Sequence, residues 1–114
     1  MRLKTEFFVS ALVRRIFSDG GFAAVERKGE EAAGAIFITQ RFRDGRTSLH
    51  GPAPQTAFDE GEALGRKFEP RVEAGDEQAV RDALSREIRF DPDLWVVEVE
   101  TDRPLGDYVN ISVG

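Results

Sequence analysis

The sequence contains no cysteine and only one histidine, His50. The absence of cysteine excludes disulfides, a thiolate nucleophile and zinc sites with Cys ligands. A single histidine excludes a metal centre built from several His side chains of one chain. We therefore expect neither a bound metal nor a cofactor.

Long apolar runs are missing as well. No stretch approaches the roughly 18 apolar residues that indicate a membrane-spanning helix. Near the N-terminus, Arg14 and Arg15 interrupt the one run that resembles the apolar core of a signal peptide. These two absences predict a cytoplasmic protein that does not engage a membrane.

The charge is acidic overall but unevenly distributed. A net charge of −5 argues against a general nucleic-acid binder, whose affinity comes mainly from contacts with phosphates. Residues 1–51 carry nine Lys or Arg and six Asp or Glu, whereas residues 52–114 carry seven and fifteen. This asymmetry is suited to steering a partner or to pairing two copies of the chain head to tail. The alternative is that the halves interleave in one fold and give a mixed surface.

Two segments have the apolar periodicity of amphipathic helices. The first covers residues 5–18, with Thr5 as its N-cap and Asp19-Gly20-Gly21 as its end, and it leaves Phe7 exposed. The second begins near Asp76, and its apolar stripe consists of Val80, Ala83, Leu84 and Ile88.

Strand-like segments lie between the helices, and Asp44-Gly45 joins two of them. Asp-Gly is typical of a two-residue hairpin loop, because both positions need positive φ. That loop predicts a register in which Arg41 faces Ser48 and Thr39 faces His50. In this register the core face holds Ile36, Ile38, Phe42 and Leu49, and the solvent face holds Thr39, Arg41, Arg43, Arg46, Ser48 and His50.

The predicted order of elements is α-β-β-β-β-α-β. Since strands do not alternate with helices, the order favours an α+β fold with a mostly antiparallel sheet of about five strands and both helices on one face. We expect a single domain over residues 1–114. The tail, residues 101–114, is predicted to be either a short extra strand or disordered.

Four stretches of the sequence resemble a known family. They are "FFVSALVRRIFSDGGFAAVERKG", "AGAIFI", "GPAPQ" and "SREIRFDPDLWVVEVE". In this order and spacing they are similar to the alphaproteobacterial family called domain of unknown function 1491, over roughly residues 1–100. The resemblance implies a bacterial cytoplasmic protein of about one domain. It implies no activity and no site residues.

The solvent face of the hairpin is the first candidate site. Arg41, Arg43, Arg46 and His50 converge there in the predicted register, and guanidinium groups suit phosphate or carboxylate ligands. We interpret this face either as an anion-binding site or as an ordinary solvated strand surface.

A carboxylate within the second helix's apolar stripe is the second candidate. Glu87 follows the spacing of that stripe, so it either forms a structural ion pair, with Arg15 as one possible partner, or acts as a general base. The acids of Asp91-Pro92-Asp93 suit a hard cation, but a residue before proline leaves the helical region, which favours a simple helix-to-strand corner.

No catalytic set can be identified from the spacing of these residues. The sequence therefore predicts a small non-enzymatic module that contacts proteins and forms a homodimer. One alternative is a binder of an anionic small molecule or nucleotide on the hairpin face. A further alternative is a hydrolase or transferase that uses Glu87 or His50.

Overall fold

The structure is a computed structural model that describes residues 4–54 and 66–112. The helices are α1 (Thr5–Ser18) and α2 (Glu77–Phe90), and the strands are β1 (Phe22–Arg27), β2 (Ile36–Arg41), β3 (Thr47–Pro52), β4 (Lys67–Gly75), β5 (Trp95–Glu100) and β6 (Asn110–Ile111). A single turn of 3₁₀ helix, Leu105–Asp107, precedes β6. No helix in the described part of the chain is long and apolar enough to cross a membrane.

The strands form one mixed sheet in the order β1-β5-β2-β3-β4-β6. The pairs β2–β5 and β4–β6 are parallel, and the other pairs are antiparallel. The predicted α+β class is confirmed, and the tail contributes a sixth strand. Because β5 lies between β1 and β2, the acidic half of the chain interleaves with the basic half.

The two helices pack on opposite faces of this sheet. Ile36 and Ile38 of β2 belong to the core cluster that contains Val9, Leu12 and Ile16 of α1. Phe37, the residue between them, joins Val80 of α2 in the second cluster. Since neighbouring strand residues point to opposite faces, the expectation that both helices cover one face is wrong. We call the two sides the α1 face and the α2 face.

The hairpin between β2 and β3 is shifted by one residue from the predicted register. Arg41 pairs with Thr47 and Ile38 pairs with His50. The N–H of Phe42 donates to the carbonyl of Arg46 at 2.9 Å, so the loop has three residues, and Gly45 ends it with a φ of +88°. Three-residue hairpin loops commonly place a glycine in this conformation.

The start of α1 is fixed by the loop that connects β1 to β2. The N-cap position is Lys4, not Thr5 as predicted, and its side chain makes no capping bond. Instead the N–H groups of Thr5 and Glu6 donate to the carbonyls of Ala32 and Glu31. These bonds satisfy two donors that a helix leaves free at its start. The buried Thr5 hydroxyl donates to the carbonyl of Gly34 at 2.9 Å.

The same loop packs against the corner that connects α2 to β5. The N–H of Glu30 donates to the carbonyl of Asp93 at 2.9 Å. The indole N–H of Trp95 donates to the carbonyl of Glu30 at 2.8 Å. Within the corner, the Asp91 side chain accepts from the N–H of Asp93 at 3.0 Å, which is the bond of an Asx turn. Asp91 also ends α2 in an extended conformation, as expected before Pro92.

We predict that Gly29→Ala strongly destabilises the protein. A Cβ at position 29 would overlap the carbonyl oxygen of Asp93 and lie 2.7 Å from the carbonyl carbon of Leu94. Both are backbone atoms that cannot rotate away, so we expect a loss of about 3 kcal/mol in the free energy of unfolding. Urea denaturation measures this loss.

Gly106→Ala is the matched control for this variant. The nearest atom to a Cβ there is Cγ1 of Ile111 at 3.8 Å, an ordinary contact. We expect a change within about 0.5 kcal/mol. Similar losses in the two variants would contradict the close approach of Gly29 to the corner.

Candidate functional site

The structure pairs Glu87 with Arg71 rather than with Arg15. Glu87 lies on α2, and its carboxylate is 3.5 Å from the Arg71 guanidinium of β4. Arg15 belongs to α1 on the opposite face, where it donates to the carbonyls of Tyr108 and Asp107. A pair between Glu87 and Arg15 would have to cross the sheet. The Glu87 side chain is 37% exposed, so it lies at the edge of the α2 interface.

Arg71 connects several groups on the α2 face. Its guanidinium lies 3.3 Å from the carboxylate of Glu69 and donates to the carbonyl of Pro52 at 2.8 Å. It also stacks over the ring of Phe37, 5.5 Å from the ring centroid. Such a cation–π contact adds to the ion pairs when the side chain is partly desolvated. Arg71 therefore ties β4 to the core beneath α2.

The four residues of the predicted anion site do not converge in the structure. Arg41 points to the α2 face, whereas His50 pairs with Ile38 and points to the α1 face. Arg46 bonds the neighbouring Asp44 at 2.6 Å. A one-residue change of register moves every side chain to the other face of a strand, which explains the separation. Anion binding stays a prediction, but the structure groups only Arg41 and Arg43.

Arg41 and Arg43 line a cleft of about 400 Å³ at one end of the sheet. Its charged lining residues are Asp19, Arg41, Arg43, Glu100, Asp102 and Arg103. The cleft lies where the parallel strands β2 and β5 both end, next to the end of α1. In open sheets, ligands bind in such crevices outside the carboxyl ends of parallel strands.

Most charges around this cleft are matched by neighbours. Arg43 contacts Asp102 at 2.8 Å. Arg41 lies 3.0 Å from Glu77 of α2 and 4.0 Å from Glu100 of β5. The cleft is therefore not a uniformly positive surface. We call it the strand-end cleft.

A second surface lies along the free edge of β1. β1 is one of the two edge strands of the sheet, and β5 is its only strand neighbour among the described residues. Between this edge and α1 runs a groove of about 500 Å³. It is lined by Glu6, Val9, Ser10, Val13, Arg14, Val25, Lys28 and Trp95. We call this surface the edge groove.

Side chains that could bind a metal ion are not clustered in the described part of the chain. Among residues 4–54 and 66–112, no group of three or more His, Cys, Asp or Glu side chains is placed to hold a metal ion. Burial lowers the pKa of His50, and the charge of Glu73 partly opposes this shift. The buried Nδ1 atom of His50 has no hydrogen-bond partner among the described residues.

Sequence reasoning missed the two residues that complete the strand-end cleft. In the sequence, Asp19 belongs to the predicted end of the first helix and Arg103 belongs to the tail. They are 84 positions apart in the sequence. Only the placement of β5 beside β1 brings them to one cleft, and no local pattern signals it.

Comparisons with known proteins identify close structural relatives. A family model described as "Protein of unknown function (DUF1491)" matches residues 3–105. The solution structure of protein Atu0922 from A. tumefaciens is 55% identical, with a TM-score of 0.87, and the alignment covers 100% of this chain and 98% of that one. The crystal structure of a DUF1491 family protein from Caulobacter crescentus is 31% identical, with a TM-score of 0.79 and coverage of 99% and 100%. No curated protein matches the chain.

We predict that Arg71→Gln destabilises the protein more than Glu87→Gln does. Arg71→Gln removes the stacking on Phe37 and the bond to the Pro52 carbonyl as well as the ion pairs, so we expect a loss of about 1–2 kcal/mol. Glu87→Gln removes one partly exposed ion pair and should cost less than about 1 kcal/mol. Urea denaturation compares the variants. Arg86→Gln, at an exposed site on α2, is the control, and equal losses in all three would contradict the role of Arg71.

We predict that His50 makes the protein less stable at acidic pH. Because the folded state lowers the pKa of His50 below its usual value of 6.5, the unfolded chain binds the proton more tightly. The contribution of neutral His50 to the free energy of unfolding is therefore fully present above about pH 6.5. It declines as the pH falls from that value toward the lowered pKa of the folded state. Urea midpoints measured at about pH 8 and about pH 5 should differ more in the wild type than in His50→Gln. Identical pH dependence in both proteins would refute this assignment.

Proposed function

This chain belongs to the DUF1491 family, and we propose that it is a non-enzymatic protein-interaction module of the bacterial cytoplasm that pairs with a second copy of itself through the edge groove. The single observation that carries the proposal is the free edge of β1, which is bordered by exposed apolar side chains. An edge strand offers unpaired N–H and C=O groups to another chain. An added strand forms main-chain hydrogen bonds, and neighbouring side-chain pockets supply specificity.

Exposed apolar side chains lie at two places along this edge. Val25 of β1 is 44% exposed and lines the edge groove together with Val13 of α1. At one end of the edge, Phe17 and Phe22 are 51% and 42% exposed, and their rings pack edge-to-face at 5.6 Å. Exposed apolar groups that pack together, as Phe17 and Phe22 do, mark interaction surfaces more than scattered ones do.

The charges of α1 favour a second copy as the occupant. Glu6, Ser10 and Arg14 follow one another at intervals of four residues and line the same groove. A two-fold axis near Ser10 makes the two α1 helices antiparallel and brings each Glu6 close to Arg14 of the second copy. Val25 of the β1 edge and Ser10 of α1 line the same groove, so in the proposed dimer the β1 edges of the two copies also face each other across the axis. Opposite charges matched in this way fix the register of an interface.

The proposal is tested by light scattering at micromolar concentration. We expect a wild-type mass of twice the chain mass of 12.7 kDa. Glu6→Arg places like charges opposite each other, so it should weaken the dimer. The double variant Glu6→Arg/Arg14→Glu restores the opposite charges and should recover the dimer.

Phe90→Ser is the matched control for this experiment. Phe90 is 94% exposed at the end of α2, away from the edge groove, and its replacement should leave the mass unchanged. A monomeric wild type would overturn the proposal. Dissociation by Phe90→Ser, with no effect of Glu6→Arg, would place the interface elsewhere.

A further inference from the structure

We propose that the strand-end cleft binds a zwitterionic small molecule of the α-amino acid class, with the carboxylate on Arg103 and the ammonium group on Asp19. This inference does not depend on self-association at the edge groove. The volume of about 400 Å³ lies in the range of small-molecule sites. It is ample for a free amino acid.

The charged side chains of the cleft that form no ion pair among the described residues indicate the class of ligand. Arg43 is matched by Asp102 and Arg41 by its neighbouring acids. Asp19 and Arg103 also line the cleft, but neither forms an ion pair with any residue of the described chain. One cation and one anion facing the same space suit a ligand that carries both charges. A ligand that carries only negative charge would be repelled by the Asp19 carboxylate, and it would have no positive group to compensate for this repulsion.

The Asp19 carboxylate is positioned by its surroundings. It accepts a hydrogen bond from the hydroxyl of Tyr108 at 2.9 Å, which fixes one oxygen. Asp19 also caps the C-terminus of α1, where the free carbonyl groups of a helix carry partial negative charge. Both the carboxylate and the helix end therefore attract an ammonium group. Cationic groups are stabilised at this end of a helix.

The part of the cleft formed by Arg103 suits a carboxylate. The guanidinium group of Arg103 has its donors available, because its side chain makes no hydrogen bond with a described residue. A guanidinium binds a carboxylate through two parallel hydrogen bonds. The backbone of Arg103 is held in place, since its N–H donates to the Thr101 hydroxyl at 3.2 Å and its carbonyl accepts from Gln40 at 3.0 Å. Phe42 supplies an apolar surface for the remainder of the ligand.

The test is a titration of the full chain with the common free L-α-amino acids, one at a time, followed by the backbone amide NMR signals of Gly20, Gly21 and Thr101. We expect at least one amino acid to shift these signals at millimolar concentration. Its N-acetyl derivative lacks the ammonium group and its amide lacks the carboxylate, so each should bind at least about tenfold more weakly.

Variants assign the two charges. Arg103→Gln and Asp19→Asn should each lower the affinity by about tenfold, and Asp19→Asn keeps an oxygen for the Tyr108 hydroxyl. Arg46→Gln removes an exposed arginine that lies outside the cleft and pairs with Asp44, so it should leave the affinity unchanged. Failure of all amino acids to bind would overturn the proposal. Equal binding of the N-acetyl derivative would do so too, by showing a site for plain anions.

Discussion

The parallel pairing of β2 with β5 is the constraint on which the rest of the structure depends. These strands are joined through β3, β4 and α2, so the chain must complete that excursion before β5 can enter the sheet beside β2. The N–H of Trp95 donates to the carbonyl of Ala35 at 2.8 Å, and the Trp95 indole donates to the carbonyl of Glu30. Both bonds lie where the two strands begin. They set the register that brings Arg41 beside Glu100 at the far end.

This central pair also divides the protein into two cores. Ile38 and Val97 face α1, whereas Phe37 and Val96 face α2. Both strands are buried on two sides and are therefore apolar at successive positions, as in parallel sheets. The burial of Thr39 and Gln40 continues this pattern toward the strand-end cleft. Gln40 then donates to the carbonyls of Thr101 and Arg103. These two bonds attach the segment that lines the cleft to a buried residue of β2.

Local sequence patterns predicted the helices and strands. They failed to predict features that depend on contacts between distant parts of the chain. The helix at residues 5–18 and the start of α2 near Asp76 follow from the apolar spacing of these segments, and the structure has both. The hairpin register does not follow, because Asp44-Gly45 fits a loop of two residues as well as one of three.

The side of the sheet that each helix covers depends on the crossover between strands. Local patterns in the sequence therefore could not predict the ion pair between Glu87 and Arg71 or the presence of Asp19 and Arg103 in one cleft.

The two proposed surfaces share α1, and this has a thermodynamic consequence. The side chains of Glu6, Ser10 and Arg14 line the edge groove, and Asp19 ends the same helix at the strand-end cleft. A ligand that holds the end of α1 acts on the element that a second copy would contact. Coupling between two binding events is reciprocal, so a ligand that strengthens pairing of the copies must bind the pair more tightly by the same factor. The turn at Gly20-Gly21 joins α1 to the edge strand β1 and also lines the strand-end cleft, so it adjoins both surfaces.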